Sequence, residues 1–232
     1  MSGNPGARRR VQLELPFTPA DALKLLLLIS ILLFSASLLL EIAESLDWEN
    51  PSRLVGRLLN VDREGSVSSW FSSCILLICA LLALGARARA GRSAAWMLMS
   101  ALFLAMSADE ILAVHEVIGE KVRDALDAGG VLRFGFVVPG AVLVVGTILL
   151  FAPLVRSLPT PTRTLFLLGA ALYFTGALGL EAVGGLVHDS AGRGSLTYAV
   201  IANTEELLEM VGASIVAYAL AQYGVTPTRS LG

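Results

Sequence analysis

Nine residues could do chemistry together. They are Asp109, Glu110, His115 and Glu116 in the run S-A-D-E-I-L-A-V-H-E, the pair Glu181 and His188, and Glu205, Glu206 and Glu209 in N-T-E-E-L-L-E. Both histidines of the chain are among them. Asp109 and Glu116 are seven apart, as are Glu181 and His188, so each pair falls within about 20° on a continuous helix. Glu205 and Glu209 are four apart and adjacent, and Glu206 reaches the Glu209 side. On the same continuous helix His115 points away from the Asp109 face unless the helix end rotates or unwinds.

Few cations accompany these acids: no Lys or Arg lies between Ala94 and Glu120, or between Thr164 and Gly192. Crowded carboxylates cannot all stay ionised without compensation, so either several hold protons or a cation sits among them. Two histidines with four or more carboxylates make the ligand set of a one- or two-metal site in a helical bundle. Asp109, Glu181, His188, Glu205 and Glu209 are the candidate ligands for a divalent ion. Glu110, His115, Glu116 and Glu206 are the candidate acid/base or supporting groups. Oxygen-rich sets suit Mg, Ca or Mn, and the two histidines move the balance toward Fe or Zn.

Simpler roles exist for some of these residues. Asn203 followed by Glu206 reads as a capping box if a helix starts there, which leaves Glu209 unexplained. Glu120, Asp124 and Asp127 fit a solvated surface, Glu41 and Glu44 a helix ending in water, and His188-Asp189 a loop pair. Asp109, Glu110, Glu181 and Glu209 are the hardest to dismiss, because the surrounding sequence is apolar.

That sequence is membrane-like. Of the 232 residues 55% are hydrophobic and 16% charged, against about 25% in soluble domains, and mean hydropathy is +0.73. The net charge of −2 offers no basic field for nucleic acid. Cys74 and Cys79 are five apart, fall on different helix faces, and read as packing rather than as a ligand pair.

Six apolar spans follow, at about 19–43, 67–86, 93–117, 134–155, 163–187 and 196–223, giving an all-α integral membrane bundle flanked by tails 1–17 and 224–232. Thr18-Pro19-Ala20-Asp21 has the form of a capped helix start. Polar loop 44–65 carries the breaker Asn50-Pro51-Ser52, Asp127-Ala128-Gly129-Gly130 forms another loop, and Gly192-Arg193-Gly194 turns the chain. The first span follows Arg8, Arg9 and Arg10 without a clean cleavage site, so it reads as uncleaved. Trp70 fits an interfacial anchor. The serines from Ser66 to Ser73 either line a polar cavity or satisfy one another. Gly169, Gly176, Gly179, Gly184 and Gly185 thin the fifth span, which makes it the expected central helix.

Lys and Arg split ten to seven in favour of the side holding both termini, and Arg87, Arg89 and Arg92 crowd one short loop, so both termini are expected in the cytoplasm. Seventeen of the nineteen acids fall on the other side. At about 1.5 Å per residue, the first, third, fifth and sixth spans bring carboxylates to one depth near the outer leaflet, with both histidines at its margin.

Asn60-x-Asp62-x-Glu64 with Trp70-Phe71-Ser72-Ser73, Ser107-x-Asp109-Glu110-x4-His115-Glu116, and Glu205-Glu206-x2-Glu209-x2-Gly212 resemble a widespread group of bacterial polytopic membrane proteins to which no activity is attached. The resemblance covers most of the chain from Asn60 onward and implies the bacterial inner (plasma) membrane, without any chemistry. Two nearer comparisons fail. Soluble di-iron carboxylate proteins use Glu-x-x-His, and alkaline-ceramidase-type hydrolases need three histidines.

The leading expectation is a membrane metalloprotein, with an enzyme acting on a lipid head group or a quinone-like substrate as its catalytic form. A cation or proton-coupled transporter is second, because the inner half has no intramembrane acid beyond Asp21 to extend a pathway. An assembly or sensor protein with an acidic pocket is third. The partners left open are the lipid bilayer and a homo-oligomeric copy.

Overall fold

The computed structural model describes residues 18–46, 53–63, 65–90, 93–127 and 129–225, and among these the regular structure is entirely helical. The arginines of the N-terminal tail, Asn50-Pro51-Ser52, Glu64, Gly91, Arg92, Ala128 and the tail from 226 lie outside the described residues. Six helical stretches are long and apolar enough to cross a membrane.

Helix α1 (Pro19–Ser45) starts at the anticipated cap. Thr18 Oγ1 accepts from the Asp21 backbone N–H at 3.2 Å, and Asp21 Oδ2 accepts from the Thr18 N–H at 3.3 Å. The loop after it contains a short helix, α2 (Arg53–Leu59), absent from the sequence reading because seven residues give too little periodicity to detect. Asn60, just past α2, donates to Glu41 Oε1 at 2.5 Å. Glu41 is therefore half-buried and tied to the outer loop rather than ending a helix in water.

Helices α3 (Val67–Arg89) and α4 (Ala94–Leu112) are joined by reciprocal serine contacts: Ser73 Oγ donates to the Ser107 carbonyl and Ser107 Oγ to the Ser73 carbonyl, each at 2.8 Å. At the start of α3, Ser66 Oγ pairs with Ser68 Oγ at 2.7 Å and with Ser69 Oγ at 3.1 Å. Ser66, Ser68 and Ser69 thus satisfy one another and Ser73 clasps α3 to α4, while the buried Ser72 hydroxyl has no hydrogen-bond partner among the described residues. Trp70 is exposed near the start of α3, as an interfacial anchor requires.

The third span does not continue to 117. It stops at Leu112, and Ala113 turns left-handed (φ 51°, ψ 37°) before an amphipathic helix, α5 (Val114–Leu126), leaves in a new direction. A non-glycine residue in this region costs about 1–2 kcal/mol, so compensating contacts must hold it. They come from Asp109, as described below.

After a 3₁₀ turn (Gly130–Leu132), α6 (Val137–Ser157) runs along the bundle edge with Val142, Val145, Leu149 and Leu150 exposed, and α7 (Thr160–Phe174) follows the short proline turn. A π-helical segment (Thr175–Leu180) joins α7 to α8 (Glu181–Ala191), and Gly192 (φ 84°) turns the chain into α9 (Leu196–Val225).

The centre of the bundle is α9 with α3, not the fifth span. The core is built from Ile75, Leu76, Cys79, Trp96, Met99, Met210 and Leu220, and α9 also packs on α1, α7 and α8. Gly169 and Gly176 of the fifth span serve this arrangement by letting it lie close against α9, whereas Gly185 lies against the Gly130 carbonyl. A Cβ on Gly169 would meet the Gly212 carbonyl oxygen at 2.6 Å, and one on Gly212 would meet the Gly169 oxygen at the same distance. Cys79 is buried and Cys74 half-buried, both as free thiols.

Candidate functional site

Helices α4 to α9 and the π segment converge on a chamber of about 550 Å³ near the end of α4, the start of α8 and the first half of α9. Its polar lining consists of Asp109 and Glu110 from α4, His115 from α5, Tyr173 from α7, Glu181 from α8, and Glu205, Glu206 and Glu209 from α9. Six carboxylates thus share one chamber, and no Lys or Arg lines it. The rest of the wall is almost wholly apolar, including Leu102, Met106, Phe136, Leu143, Phe174 and Leu178.

The carboxylates are not equivalent. Asp109 spans the chain break: its Oδ1 accepts from the His115 backbone N–H at 3.0 Å, and its Oδ2 stands 2.8 Å from His115 Nδ1. The left-handed turn at Ala113 carries His115 back onto Asp109, which a continuous helix forbids. Glu110 Oε1 accepts from the Tyr173 hydroxyl at 3.2 Å. Glu181, Glu205 and Glu209 make no hydrogen bond or ion pair with the described protein. All three are half-buried.

The π segment sets the register of Glu181. Tyr173 and Glu181 are eight apart, which is about 80° off on an α-helix. A π turn absorbs one extra residue, so the pair behaves as about seven apart and about 20° off. Both side chains consequently face the same chamber. On α9, Glu205 and Glu209 follow ordinary α-helical spacing.

The remaining candidates lie elsewhere. His188 is not part of the chamber wall. Its ring meets Phe134 and Tyr198 edge-on at 6.0 Å each, and its Nδ1 is 3.7 Å from Asp189 Oδ1. The shared-face argument from Glu181 to His188 fails because lining extends only to the start of α8. Glu116 is exposed on α5 and outside the chamber, because the break at Ala113 removes it from the Asp109 face. Asn203 is interior to α9 and donates to the Ala199 carbonyl at 2.8 Å, so it caps nothing. The helix start belongs instead to Ser195, whose Oγ accepts from the Tyr198 N–H at 3.2 Å. Among the described residues, no three His, Cys, Asp or Glu side chains are already gathered as a metal-ligand group.

Outside the chamber the loops are pinned by charge. Arg193 Nη2 donates to Asp62 Oδ2 at 3.0 Å, and the Tyr198 hydroxyl donates to Asp62 Oδ1 at 3.1 Å. The Asp62 carboxylate holds the Arg193 guanidinium above its usual pKa. Asp189 ties the loop before α6 to α8, accepting from the Gly130 N–H at 2.6 Å and pairing with Arg133 at 3.1 Å.

A family model described as a domain of unknown function, DUF8692, matches residues 25–223. The chain belongs to the DUF8692 family. No curated protein and no solved structure matches it. The DUF8692 region takes in all six candidate spans in whole or part and every residue of the chamber.

Sequence reasoning missed two features of this DUF8692 chamber. The partner of Tyr173 was one, since a lone tyrosine in an apolar helix reads equally as packing or as a polar contact and gives no sign that Glu110 accepts its hydroxyl. The second was the apolar floor, where a smaller chamber of about 300 Å³ adjoins the first. Apolar residues at helical spacing look alike whether they fill a core or line a hollow.

Proposed function

We propose that this is a multi-pass membrane protein whose carboxylate chamber binds one or two hard divalent cations at the outer-leaflet end of the bundle, with both termini in the cytoplasm. The observation that carries the reading is the set Glu181, Glu205 and Glu209: three half-buried carboxylates, facing one chamber, without protein partners and without a Lys or Arg in its wall. An intramembrane carboxylate costs up to about 2.5–3.5 kcal/mol at a span centre and less near the interface, and such groups otherwise find partners.

Oxygen donors alone favour Mg, Ca or Mn. The histidine argument for Fe or Zn now rests on His115 alone, because His188 is outside the wall. The carboxylates stand around a roomy chamber rather than in a closed cage. Such a site suits a cation that keeps several waters, as Mg does, or one that accepts flexible geometry, as Ca does. Asp109–His115 and Glu110–Tyr173 are then the paired groups beside the ion, able to hold or pass a proton to a bound head group.

An ion-transport function is less well supported. The floor beneath the carboxylates is largely apolar, formed by Leu76, Met99, Phe103, Phe151, Phe166 and Val216, and it carries no carboxylate or histidine before Arg156 and Arg163 at its far end. A relay needs ionisable groups along its path.

Elemental analysis of the purified full-length protein, beside Glu205→Gln and Glu209→Gln, tests the reading. Stoichiometric Mg, Ca or Mn in the wild type that falls in both variants supports it. A metal-free wild type that also fails to take up these ions on dialysis overturns it. Metal retained equally by both variants overturns the ligand choice.

A further inference from the structure

The carboxylate chamber and its apolar floor share five lining residues: Leu102, Met106, Thr147, Tyr173 and Phe174. The two adjoin and differ in chemistry. The upper part presents acceptors from six carboxylates, and the lower part is hydrocarbon as far as Arg156 and Arg163 at its far end. Together the two volumes, about 550 and 300 Å³, fall in the range of small-molecule sites. One long side is α6, which touches α4 and α7 only sparsely and exposes most of its length. A ligand already dissolved in the bilayer has its way in beside that helix.

We propose that the two together are a binding slot for a long single-chain amphiphile whose head group donates hydrogen bonds and carries no anionic group: a hydroxyl or an amine on a linear hydrocarbon chain. The head lies among Glu181, Glu205 and Glu209, and the chain runs past Phe174 into the floor. Charge decides the head group. The six carboxylates offer acceptors but no Lys or Arg to pair an anionic head, and placing like charges together costs several kcal/mol. Phosphate and carboxylate heads are thereby rejected, while donors are accepted. The polarity gradient decides the chain, since an inorganic ion alone has no use for the apolar floor. The proposal rests on the cation reading only in using the same carboxylates.

The test uses full-length protein in phosphatidylcholine nanodiscs and three photoreactive C16 probes that differ only in their heads: alcohol, amine and phosphate. Cross-links are mapped by mass spectrometry. The alcohol and amine are expected to label the stretch from Leu102 to Met106 and the region of Phe174 saturably, and the phosphate at least about tenfold less well. Ala170→Phe and Ala152→Phe, which fill the floor from α7 and α6, are expected to reduce this labelling by about tenfold while leaving divalent-cation uptake unchanged. Equal labelling by all three probes, or labelling that survives both fillings in folded protein, overturns the slot. The same samples are titrated with Mg, Ca and Mn. Cation uptake without saturable labelling removes the amphiphile alone. Head-selective labelling without cation uptake removes the metal alone.

Discussion

His115 Nδ1 stands 2.8 Å from Asp109 Oδ2 across the left-handed residue Ala113, and the same carboxylate accepts the His115 backbone N–H at 3.0 Å. One side chain therefore ends the long apolar helix α4, starts an amphipathic one, and brings an imidazole to the chamber wall. Removing the Asp109 charge with Asp109→Asn is expected to cost about 1.5–3 kcal/mol, the range for hydrogen bonds to charged groups. Ala113→Gly should act in the opposite sense. Glycine relieves a strain of about 1–2 kcal/mol and gives back part of it as chain entropy, for a net gain of up to about 1 kcal/mol. Thermal unfolding in detergent distinguishes the signs. A straight helix through 113 would instead lose about 0.5–1 kcal/mol with glycine.

The contact between Gly169 and Gly212 fixes the distance between α7 and α9, and through it the placement of Glu209 beside Tyr173. A methyl on Gly212 would stand 2.6 Å from both the Gly169 oxygen and the Tyr173 nitrogen, backbone atoms that cannot rotate away. Gly212→Ala is expected to destabilise by about 1–3 kcal/mol. Gly146→Ala, where a Cβ meets nothing within 4 Å, serves as the control and should be neutral or better. Equal melting shifts for the two variants would contradict the packing.

Arg193 and Asp62 close the outer loops, but Arg193 is 60% exposed, so their pair is expected to contribute only about 0–1 kcal/mol. The raised Arg193 pKa means that its share of this stabilisation is complete below the unfolded arginine value. That share is lost only as the pH rises through the folded value, outside any working range. Asp62→Asn should therefore lower the melting temperature slightly, and less at high salt. A large salt-independent loss would instead point to the Tyr198 hydrogen bond.

Orientation is testable by labelling. In a background with Cys74 and Cys79 replaced, Ala90→Cys is expected to be shielded from a membrane-impermeant maleimide in intact cells, and Gly194→Cys to react. The reverse pattern would invert the bundle and move the chamber to the cytoplasmic leaflet.

The all-helical architecture with six long apolar helices was largely legible, because hydropathy and length are local properties. Span positions came within a few residues wherever caps or prolines mark them, as at Thr18 and Pro159. The depth of the acids was legible for the same reason: Asp109, Glu110, Glu181, Glu205, Glu206 and Glu209 do share one chamber. Facing was not legible wherever the helix departs from 3.6 residues per turn. Ala113 has no sequence mark of its left-handed turn, so His115 was turned away and Glu116 turned in, the reverse of what is found. The π segment before Glu181 is equally silent. The central helix was misread because small residues mark a close approach without saying which partner is enclosed. Gly169 lies against α9, and it is α9 that the other helices surround.

The central claim is that Glu181, Glu205 and Glu209 await a divalent cation. The most direct measurement is the unfolding temperature of wild type and Glu209→Gln in nanodiscs, titrated with Mg, Ca and Mn. A ligand at about 100 times its Kd stabilises the folded state by about 2.7 kcal/mol. Without added cation, Glu209→Gln is expected to melt above wild type, because it removes an unpartnered carboxylate from the chamber. On titration the wild type should rise saturably with one of the three ions, and the variant should rise by less. A wild type that does not respond to any of the three, or a variant that responds equally, would contradict the account.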